Sequence, residues 1–284
     1  MTIRESYNEF VNKLCAVYDE REAQTIADWI FEDIGHISIG VRNSANKETL
    51  IPCVAVKLNN ALEELLNNKP VQYVLGEAWF YKMRLKVKGH VLIPRPETEE
   101  LVQWIIDDMK ASASTPTILD IGTGSGCISI ALRKEIKSSI IAVDVSRDAL
   151  RVASENSIAH HTEIDFREMD FLESSNWEKL PICDIIVSNP PYIPLANKKL
   201  MAKNVVDHEP HVALFIDNDP LIFYKKIIDF ADTNLKADGS VYVEIHEDYS
   251  NEVQSVFKLH NFESVPRQDM YGRDRFIKAY RKIQ

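Results

Sequence analysis

The 284-residue sequence has few cysteines, no long apolar segment and no surplus of positive charge. The four cysteines include no C-x-x-C pair and the eight histidines have no accompanying set of metal ligands, so we expect reduced thiols and no metal site. No apolar run approaches the ~20 residues that span a bilayer, and the first residues lack the apolar stretch of a secretory signal. We therefore expect a cytoplasmic protein that does not contact membranes.

Acidic residues outnumber basic ones, 43 Asp and Glu against 33 Lys and Arg, which gives a formal net charge of -10. A protein with this balance has little of the positive field that duplex nucleic acid requires, so direct binding of nucleic acid is not expected. The length is sufficient for a full-sized hydrophobic core together with a smaller domain.

The first part of the chain is predicted to be helical. Apolar residues recur at helical spacing over residues 7–18, 20–34 and 52–66, with Gly35 and Gly40 as breaks between the second and third segments. These segments predict a small helical domain over residues 1–70.

The remainder of the chain changes its pattern twice. Residues 76–93 alternate between apolar and polar side chains, which predicts a β-hairpin linker within residues 71–95. From residue 117 onward short strands alternate with helices, so residues 96–284 are predicted to form an α/β domain. Its mostly parallel sheet would be covered by helices on both faces.

A glycine turn follows the first strand of this α/β domain and precedes an amphipathic helix. It consists of Gly122, Thr123, Gly124, Ser125 and Gly126. Glycines permit positive φ and let a ligand lie against bare backbone, while the following helix presents its positive N-terminal end. The acid Asp120, just before the turn, would repel a dinucleotide diphosphate and favours a cationic ligand instead.

The next two strands also end in acids. Asp144 ends the strand that begins at Ser139, where its carboxylate can accept hydrogen bonds from both hydroxyls of a ribose, although it could equally be the N-cap of the helix that begins near Arg147. Asp170 and Phe171 end the following strand, where an acid and an aromatic ring could meet the amino edge and the face of an adenine. Core packing is the alternative interpretation for Phe171.

The fourth signal is the sequence Asn189-Pro190-Pro191-Tyr192, directly after a buried apolar strand. Two prolines fix φ and remove two N–H donors, while the Asn189 amide offers both an acceptor and donors. Such a turn at the carboxyl end of a parallel strand could bind a planar, amide-like NH2 group. By itself it would more simply be an ordinary proline-rich loop.

Taken together and in this order, the four strand ends resemble those of the class I S-adenosylmethionine-dependent methyltransferases. The resemblance implies a Rossmann-like, mostly parallel seven-stranded sheet with S-adenosyl-L-methionine as cofactor. It implies that the glycine turn approaches the methionine moiety, that Asp144 holds the ribose and that Asp170 and Phe171 contact adenine. It also implies that the Asn189 strand, which adjoins the cofactor, carries the methyl acceptor.

Further segments resemble the peptide chain release factor glutamine N5-methyltransferases, the HemK/PrmC family, over roughly the last three quarters of the chain. The matching segments are residues 70–76, 79–91, 91–102, 209–210, 213–214, 244–249 and 274–275. The resemblance implies that class I release factors are the protein substrate and that the N-terminal helical domain contributes to their recognition. The methyl group would go to the glutamine of their Gly-Gly-Gln motif.

For the reaction itself, the resemblance implies that the Asn189 oxygen and the Pro190 carbonyl accept the two N–H bonds of the substrate amide. Pro191 and Tyr192 would contact the substrate as well, with the Tyr192 ring packed against the planar amide to exclude water. No strong general base is required.

Three other functions share part of this pattern. A close relative could methylate a ribosomal-protein glutamine, and a DNA or RNA adenine N6-methyltransferase would have the same four strand ends because the acceptor chemistry is similar. The acidic charge argues against the nucleic-acid substrate. A non-catalytic adaptor is the third alternative, and the intact set of cofactor-facing residues argues against it.

Overall fold

The computed structural model of the protein describes residues 1–44, 48–110, 114–217 and 219–282. In chain order, its helices are α1 (Ile3–Leu14), α2 (Glu20–Asp33), α3 (Ile39–Ser44), α4 (Pro52–Leu66), α5 (Val71–Leu75), α6 (Pro96–Met109), α7 (Cys127–Glu135), α8 (Arg147–Ala159), α9 (Lys203–His208), α10 (His211–Leu214), α11 (Ile222–Asn234) and α12 (Ser250–Leu259). Short 3-10 helices cover Ser174–Lys179, Leu195–Leu200 and Glu247–Tyr249.

The first strand begins at Glu77, after the helices of the N-terminal region. They are β1 (Glu77–Phe80), β2 (Met83–Lys86), β3 (Thr117–Ile121), β4 (Ser139–Asp144), β5 (Asp165–Glu168), β6 (Cys183–Ser188), β7 (Ile193–Pro194), β8 (Phe215–Ile216), β9 (Leu235–Glu244), β10 (Phe262–Gln268) and β11 (Asp274–Arg281). The predicted hairpin is present as β1 and β2, which form a two-stranded sheet of their own.

Contacts divide the chain into two units, Met1–Glu77 with Ala202–His208, and Ala78–Met201 with Glu209–Gln284. The predicted domain bounds of 1–70, 71–95 and 96–284 stay a prediction.

The first unit is a helical domain with its own apolar core. Its core residues come from one face of each of the longer helices and include Phe10, Leu14, Ile30, Leu62 and Leu65. Helix α1 begins four residues earlier than the predicted segment 7–18 because Thr2 and Glu5 form a capping box that satisfies the first N–H groups. Helix α4 covers residues 52–66 as predicted, with Pro52 at its start.

The second unit contains a seven-stranded sheet in the order β10-β11-β9-β6-β3-β4-β5. Strands β3, β4, β5, β6 and β9 pair in parallel, and β11 runs antiparallel to both of its neighbours, β9 and β10. The order reverses beside β3, whose neighbours are β4 and β6. In open α/β sheets ligands bind at the carboxyl ends of the strands at such a reversal.

Alternate residues of the central strands supply two separate cores, as expected when both faces of a sheet are covered. Leu119, Ile141 and Ile186 belong to one core, which also contains apolar residues of α11 and α12. Their chain neighbours Ile118, Ile140 and Ile185 belong to the other, with residues of α6 and α7. The predicted mostly parallel α/β sheet is confirmed.

Candidate active site

A cavity with a volume of about 260 Å³ lies at the carboxyl ends of β3, β4, β5 and β6. Its walls are largely apolar, with a few polar groups at the strand ends, as is usual for small-molecule sites. The strand ends contribute Ile121, Gly122, Gly124, Val143, Asp144, Met169, Asp170, Phe171, Asn189, Pro190 and Pro191. Val91, Leu92, Val212 and Phe215 are among the lining residues from other segments.

The glycines of the turn have two different roles. Gly122 and Gly124 have φ of 74° and 55° and line the cavity, and a Cβ added to either would meet no atom within 4 Å. Gly126, with φ of 80°, precedes α7, and a Cβ there would lie 3.1 Å from the Cβ of Ala153 on α8. The first two glycines therefore leave bare backbone facing the cavity, whereas the third permits close packing of two helices.

The polar residues around the turn lie behind it. Thr123 and Ser125 are buried and are not among the described residues that line the cavity. Asp120 is also fully buried, and its Oδ2 accepts hydrogen bonds from Thr123 Oγ1 at 2.7 Å and Ser129 Oγ at 2.6 Å. Burial raises the pKa of Asp120 to about 6 despite these hydrogen bonds. Asp120 thus supports the turn from below rather than facing a ligand in the cavity.

Asp144 lies at the cavity wall beside the glycine turn. Its Oδ2 accepts from the Gly124 backbone N–H at 2.9 Å and its Oδ1 from the Ser146 N–H at 2.9 Å. The N-cap of α8 is Ser146, whose hydroxyl accepts from the Ala149 N–H, so Asp144 is not the helix cap. Burial raises the pKa of Asp144, while the backbone N–H groups oppose that rise. Each carboxylate oxygen retains a lone pair for a further donor.

Asp170 and Phe171 line the cavity from the end of β5. The Asp170 Oδ1 accepts from the Leu172 N–H at 2.9 Å, and the side chain is otherwise exposed. Phe171 is only 4% exposed and packs edge-on against Phe230, with ring centroids 5.5 Å apart. Core packing therefore describes Phe171, which also lines the cavity, and its contact with an adenine stays a prediction.

The residues after β6 are divided between the cavity and the core. Asn189, Pro190 and Pro191 line the cavity. Tyr192 is not among the described lining residues and packs against the core instead, with its hydroxyl 3.4 Å from Glu244 Oε1. Burial raises the pKa of the Tyr192 phenol well above its ordinary value, and the nearby Glu244 carboxylate raises it further.

Two hydrogen-bonded residues behind Asn189, Thr98 and Glu244, are not predicted as site residues by the sequence. The Asn189 Nδ2 donates to Thr98 Oγ1 at 3.2 Å, and the Thr98 hydroxyl donates to Glu244 Oε2 at 2.7 Å. Glu244 is 2% exposed, and burial raises its pKa to about 7 although Thr98, Arg275 and Tyr192 oppose the rise. The sequence does carry a signal for Glu244, because it is an acid at the end of the apolar strand β9. The same pattern predicts a role for Asp144.

An ion pair joins two of the segments that border the cavity. The Arg95 Nη2 lies 2.5 Å from Glu209 Oε1, and Glu209 Oε2 accepts from the Ile93 N–H at 3.3 Å. The Glu209 side chain is almost completely buried, so the position of its carboxylate against Arg95 is strongly constrained. Removing either partner would leave a buried charge or unpaired donors beside the lining residues of both segments.

Within the described ranges, no three or more His, Cys, Asp and Glu side chains are grouped so that they could hold a metal ion. In the same part of the chain, no helix is long and apolar enough to cross a membrane.

Comparisons with known proteins identify the family of this chain. The family described as the methyltransferase small domain matches residues 100–212. A release factor glutamine methyltransferase from Flavobacterium psychrophilum is 39% identical over 292 residues, which cover 98% of this chain and 99% of that protein. The chain belongs to the release factor glutamine methyltransferase family. A second member, from Streptococcus pneumoniae, is 42% identical over 76% of each protein.

A solved structure supports the fold alone. The ribosomal protein L11 methylase from Lactobacillus delbrueckii subsp. bulgaricus has a TM-score of 0.51 and 20% identity, covering 70% of this chain and 86% of that one. The expected class I methyltransferase fold and the expected family are therefore both confirmed, and the chain is a methyltransferase.

The family implies the use of S-adenosyl-L-methionine, and the cavity fits that group. The open space beside Gly122 and Gly124 is a cradle that side chains would fill. Asp144 retains acceptor capacity for hydroxyl groups, and the apolar wall includes the ring of Phe171. The Asp144 and Asp170 carboxylates also favour a cationic ligand over a polyphosphate.

Proposed function

We propose that this protein methylates the side-chain amide nitrogen of the glutamine in the Gly-Gly-Gln motif of class I peptide chain release factors, with S-adenosyl-L-methionine as methyl donor. One observation carries the proposal: the cavity that fits the cofactor ends at Asn189 and Pro190, the residues suited to an NH2 acceptor, in a chain 39% identical to a release factor glutamine methyltransferase.

The cofactor would be held by the residues of β3, β4 and β5. The backbone at Gly122 and Gly124 would lie against its methionine part, the Asp144 carboxylate would accept from the ribose hydroxyls, and Asp170 with Phe171 would border the adenine. When bound, the cofactor supplies an electrophilic methyl group on a sulfonium. Thr123, Ser125 and Gly126 would act indirectly, because they shape the turn from behind.

The acceptor amide would be oriented by the residues after β6. The Asn189 Nδ2 is already bound to Thr98, so Asn189 Oδ1 remains to accept one N–H of the substrate amide. The Pro190 carbonyl would accept the other. Two acceptors on one nitrogen favour the pyramidal geometry in which its lone pair is released from conjugation and can attack a methyl group.

Pro191 and Tyr192 would complete the acceptor end. Pro191 lines the cavity and has no N–H of its own, so it cannot compete with the substrate as a donor. The half-buried Tyr192 packs against the core beside it. From this position Tyr192 would fix the Pro-Pro turn that borders the substrate amide, rather than contribute a proton-transfer group.

The proton that the nitrogen loses as the N–C bond forms needs no strong base. A methylated amide nitrogen becomes acidic only during transfer, so carbonyl oxygens such as Asn189 Oδ1 can hold the proton on its path to water. This agrees with the absence of a histidine or lysine among the described residues of the Asn189 to Tyr192 turn.

The direct test is mass spectrometry of an intact release factor after incubation with this protein and the cofactor. We expect the mass of one methyl group on the glutamine of Gly-Gly-Gln, and none on a glutamine-to-alanine release factor. A ribosomal protein and a DNA duplex serve as parallel substrates. Methylated adenine or a methylated ribosomal-protein glutamine, with an unmodified release factor, would contradict the proposal. Cofactor binding without any transfer would favour the adaptor.

A further inference from the structure

Four side chains from three segments of the chain form a continuous series of hydrogen bonds behind the acceptor end of the cavity. Asn189 follows β6, Thr98 lies on α6, Glu244 ends β9 and Tyr192 follows Asn189 by three residues. The series passes from Asn189 Nδ2 to Thr98 Oγ1, at 3.2 Å, and from Thr98 Oγ1 to Glu244 Oε2, at 2.7 Å. The Tyr192 hydroxyl reaches the other carboxylate oxygen at 3.4 Å.

The direction of these bonds is determined by chemistry. In the structure the Thr98 hydroxyl donates its single proton to Glu244 Oε2, as it must whenever the carboxylate is ionised, because an ionised carboxylate only accepts hydrogen bonds. Thr98 Oγ1 can then only accept a hydrogen bond from Asn189. The donor must be the NH2 group of the Asn189 amide. Asn189 is thereby held with Oδ1 as its remaining polar atom, and an amide flip would place two acceptors against each other.

Because these side chains are buried, water cannot readily replace the hydrogen bonds between them. Thr98 and Glu244 are each 2% exposed. The charged and titratable groups around the Glu244 carboxyl include Arg275 on β11, Glu97 on α6 and the Tyr192 phenol, together with Tyr224 and Cys127. Arg275 and Tyr192 favour the charged carboxylate, Glu97 opposes it, and burial is the largest influence. A buried polar series of this kind is stable only in orientations that satisfy every member.

We infer that Thr98 and Glu244 are positioning residues that fix the amide orientation of Asn189, so that Oδ1 rather than Nδ2 meets the methyl acceptor. The inference deepens the proposed function and rests on it for its kinetic consequence. A methyl-accepting NH2 group needs an oxygen at this place to accept its N–H bonds. The NH2 group of Asn189 would instead repel the N–H bonds of the substrate. Neither Thr98 nor Glu244 lines the cavity among the described residues, so neither is a catalytic residue.

The test compares Thr98→Val, which keeps the shape but removes the hydroxyl, with Thr98→Ser, which keeps it. We expect Thr98→Val to lower kcat for release factor methylation on the order of 10- to 100-fold, with cofactor Kd within a few fold of wild type. This loss is smaller than that caused by removing a group that contacts the reacting atoms. Thr98→Ser should recover most of kcat.

Ser157→Ala is the matched control, because it removes another buried hydroxyl, bonded to the Thr162 carbonyl at 2.7 Å, away from the cavity lining. It should leave kcat unchanged. Equal kcat in Thr98→Val and wild type would overturn the inference, as would a loss in Thr98→Val that Thr98→Ser does not reverse.

A second measurement tests the inference without requiring that Thr98→Val folds or that turnover is observed. In Glu244→Gln the side-chain NH2 can donate to Thr98, which lets the series reverse. The side-chain amide signals of Asn189, identified by their loss in Asn189→Ala, should then shift or split in a ¹⁵N spectrum. Unchanged Asn189 signals would overturn the inference. An inactive wild-type enzyme with shifted signals would instead refute the proposed function alone.

Discussion

The two ends of the cavity are built in different ways. At the cofactor end, Asp144 is held by backbone N–H groups, those of Gly124 and Ser146, and the open glycines supply the surface. At the acceptor end, Asn189 is held by side chains, in a series through Thr98 to Glu244 that joins residues 91 and 146 positions apart. The first end depends on local backbone conformation, and the second on the packing of α6, β6 and β9.

Because of this difference, we expect substitutions at one end to change cofactor binding and substitutions at the other end to change the rate of methyl transfer. Changes at the cofactor end should alter cofactor affinity, because we propose that its groups contact parts of the cofactor that do not react. Changes at the acceptor end should alter the rate at saturating cofactor, because we propose that its groups orient the nucleophile.

Asn189→Ala should give the largest effect. We expect methyl transfer to slow by on the order of 10²–10³, as when one preorganised polar group is removed from a transition-state site. Cofactor Kd, measured by calorimetry, should stay within a few fold of wild type. Turnover close to that of wild type would show that the amide of Asn189 does not orient the acceptor.

Glu244→Gln sharpens the comparison through pH. The pKa of Glu244 is raised from 4.5 to about 7, so its neutral form is favoured by folding and its contribution to stability is lost as pH rises through 7. Because glutamine does not titrate, the free energy of unfolding of Glu244→Gln relative to wild type should increase by up to about 3 kcal/mol between pH 4.5 and 8. Denaturant unfolding at both pH values measures this, and parallel pH dependence of the two proteins would contradict it.

Asp144→Ala should weaken cofactor binding by about 1.5–3 kcal/mol for each charge-assisted hydrogen bond lost. The variant also frees the Gly124 N–H, so part of the loss would come from a less ordered turn. Asp144→Asn, which keeps one acceptor oxygen, is the matched control and should bind with intermediate affinity. An unchanged Kd in Asp144→Ala would show that Asp144 only stabilises the turn.

Tyr192→Phe should have the smallest effect. Its hydroxyl is 3.4 Å from Glu244, at the long limit of a hydrogen bond, while its ring keeps the packing against the core. We expect kcat within about fivefold of wild type, because one weak hydrogen bond contributes about 1 kcal/mol or less. Tyr192→Ala, which removes the ring, should also raise KM for the release factor. Equal losses in both variants would assign the role to the hydroxyl instead.

The parts of the molecule that the sequence predicted are those fixed by local pattern. The glycine turn, the strand ending at Asp144 and the helix beginning at Arg147 each follow from short-range rules of φ, alternation and capping. The start of α1 was predicted too late because the Thr2 capping box was not recognised. The short helices α3 and α5 were not predicted, since so few residues give no clear period.

The acceptor end could be predicted only in part. The sequence singled out Asn189 and Pro190 because they follow a buried strand directly, and both line the cavity. The hydrogen bond of Asn189 to Thr98, and that of Thr98 to Glu244, depend on which strands are neighbours and on where α6 packs, and no local pattern encodes either. The same holds for the ion pair of Arg95 with Glu209, whose partners are 114 positions apart.

The most direct test of the separation between the two ends is the rate of release factor methylation as a function of cofactor concentration in Asp144→Ala and Asn189→Ala. We expect Asp144→Ala to approach the wild-type rate once cofactor saturates it, and Asn189→Ala to remain slow at every cofactor concentration. A rate in Asn189→Ala that recovers at high cofactor concentration would contradict the account.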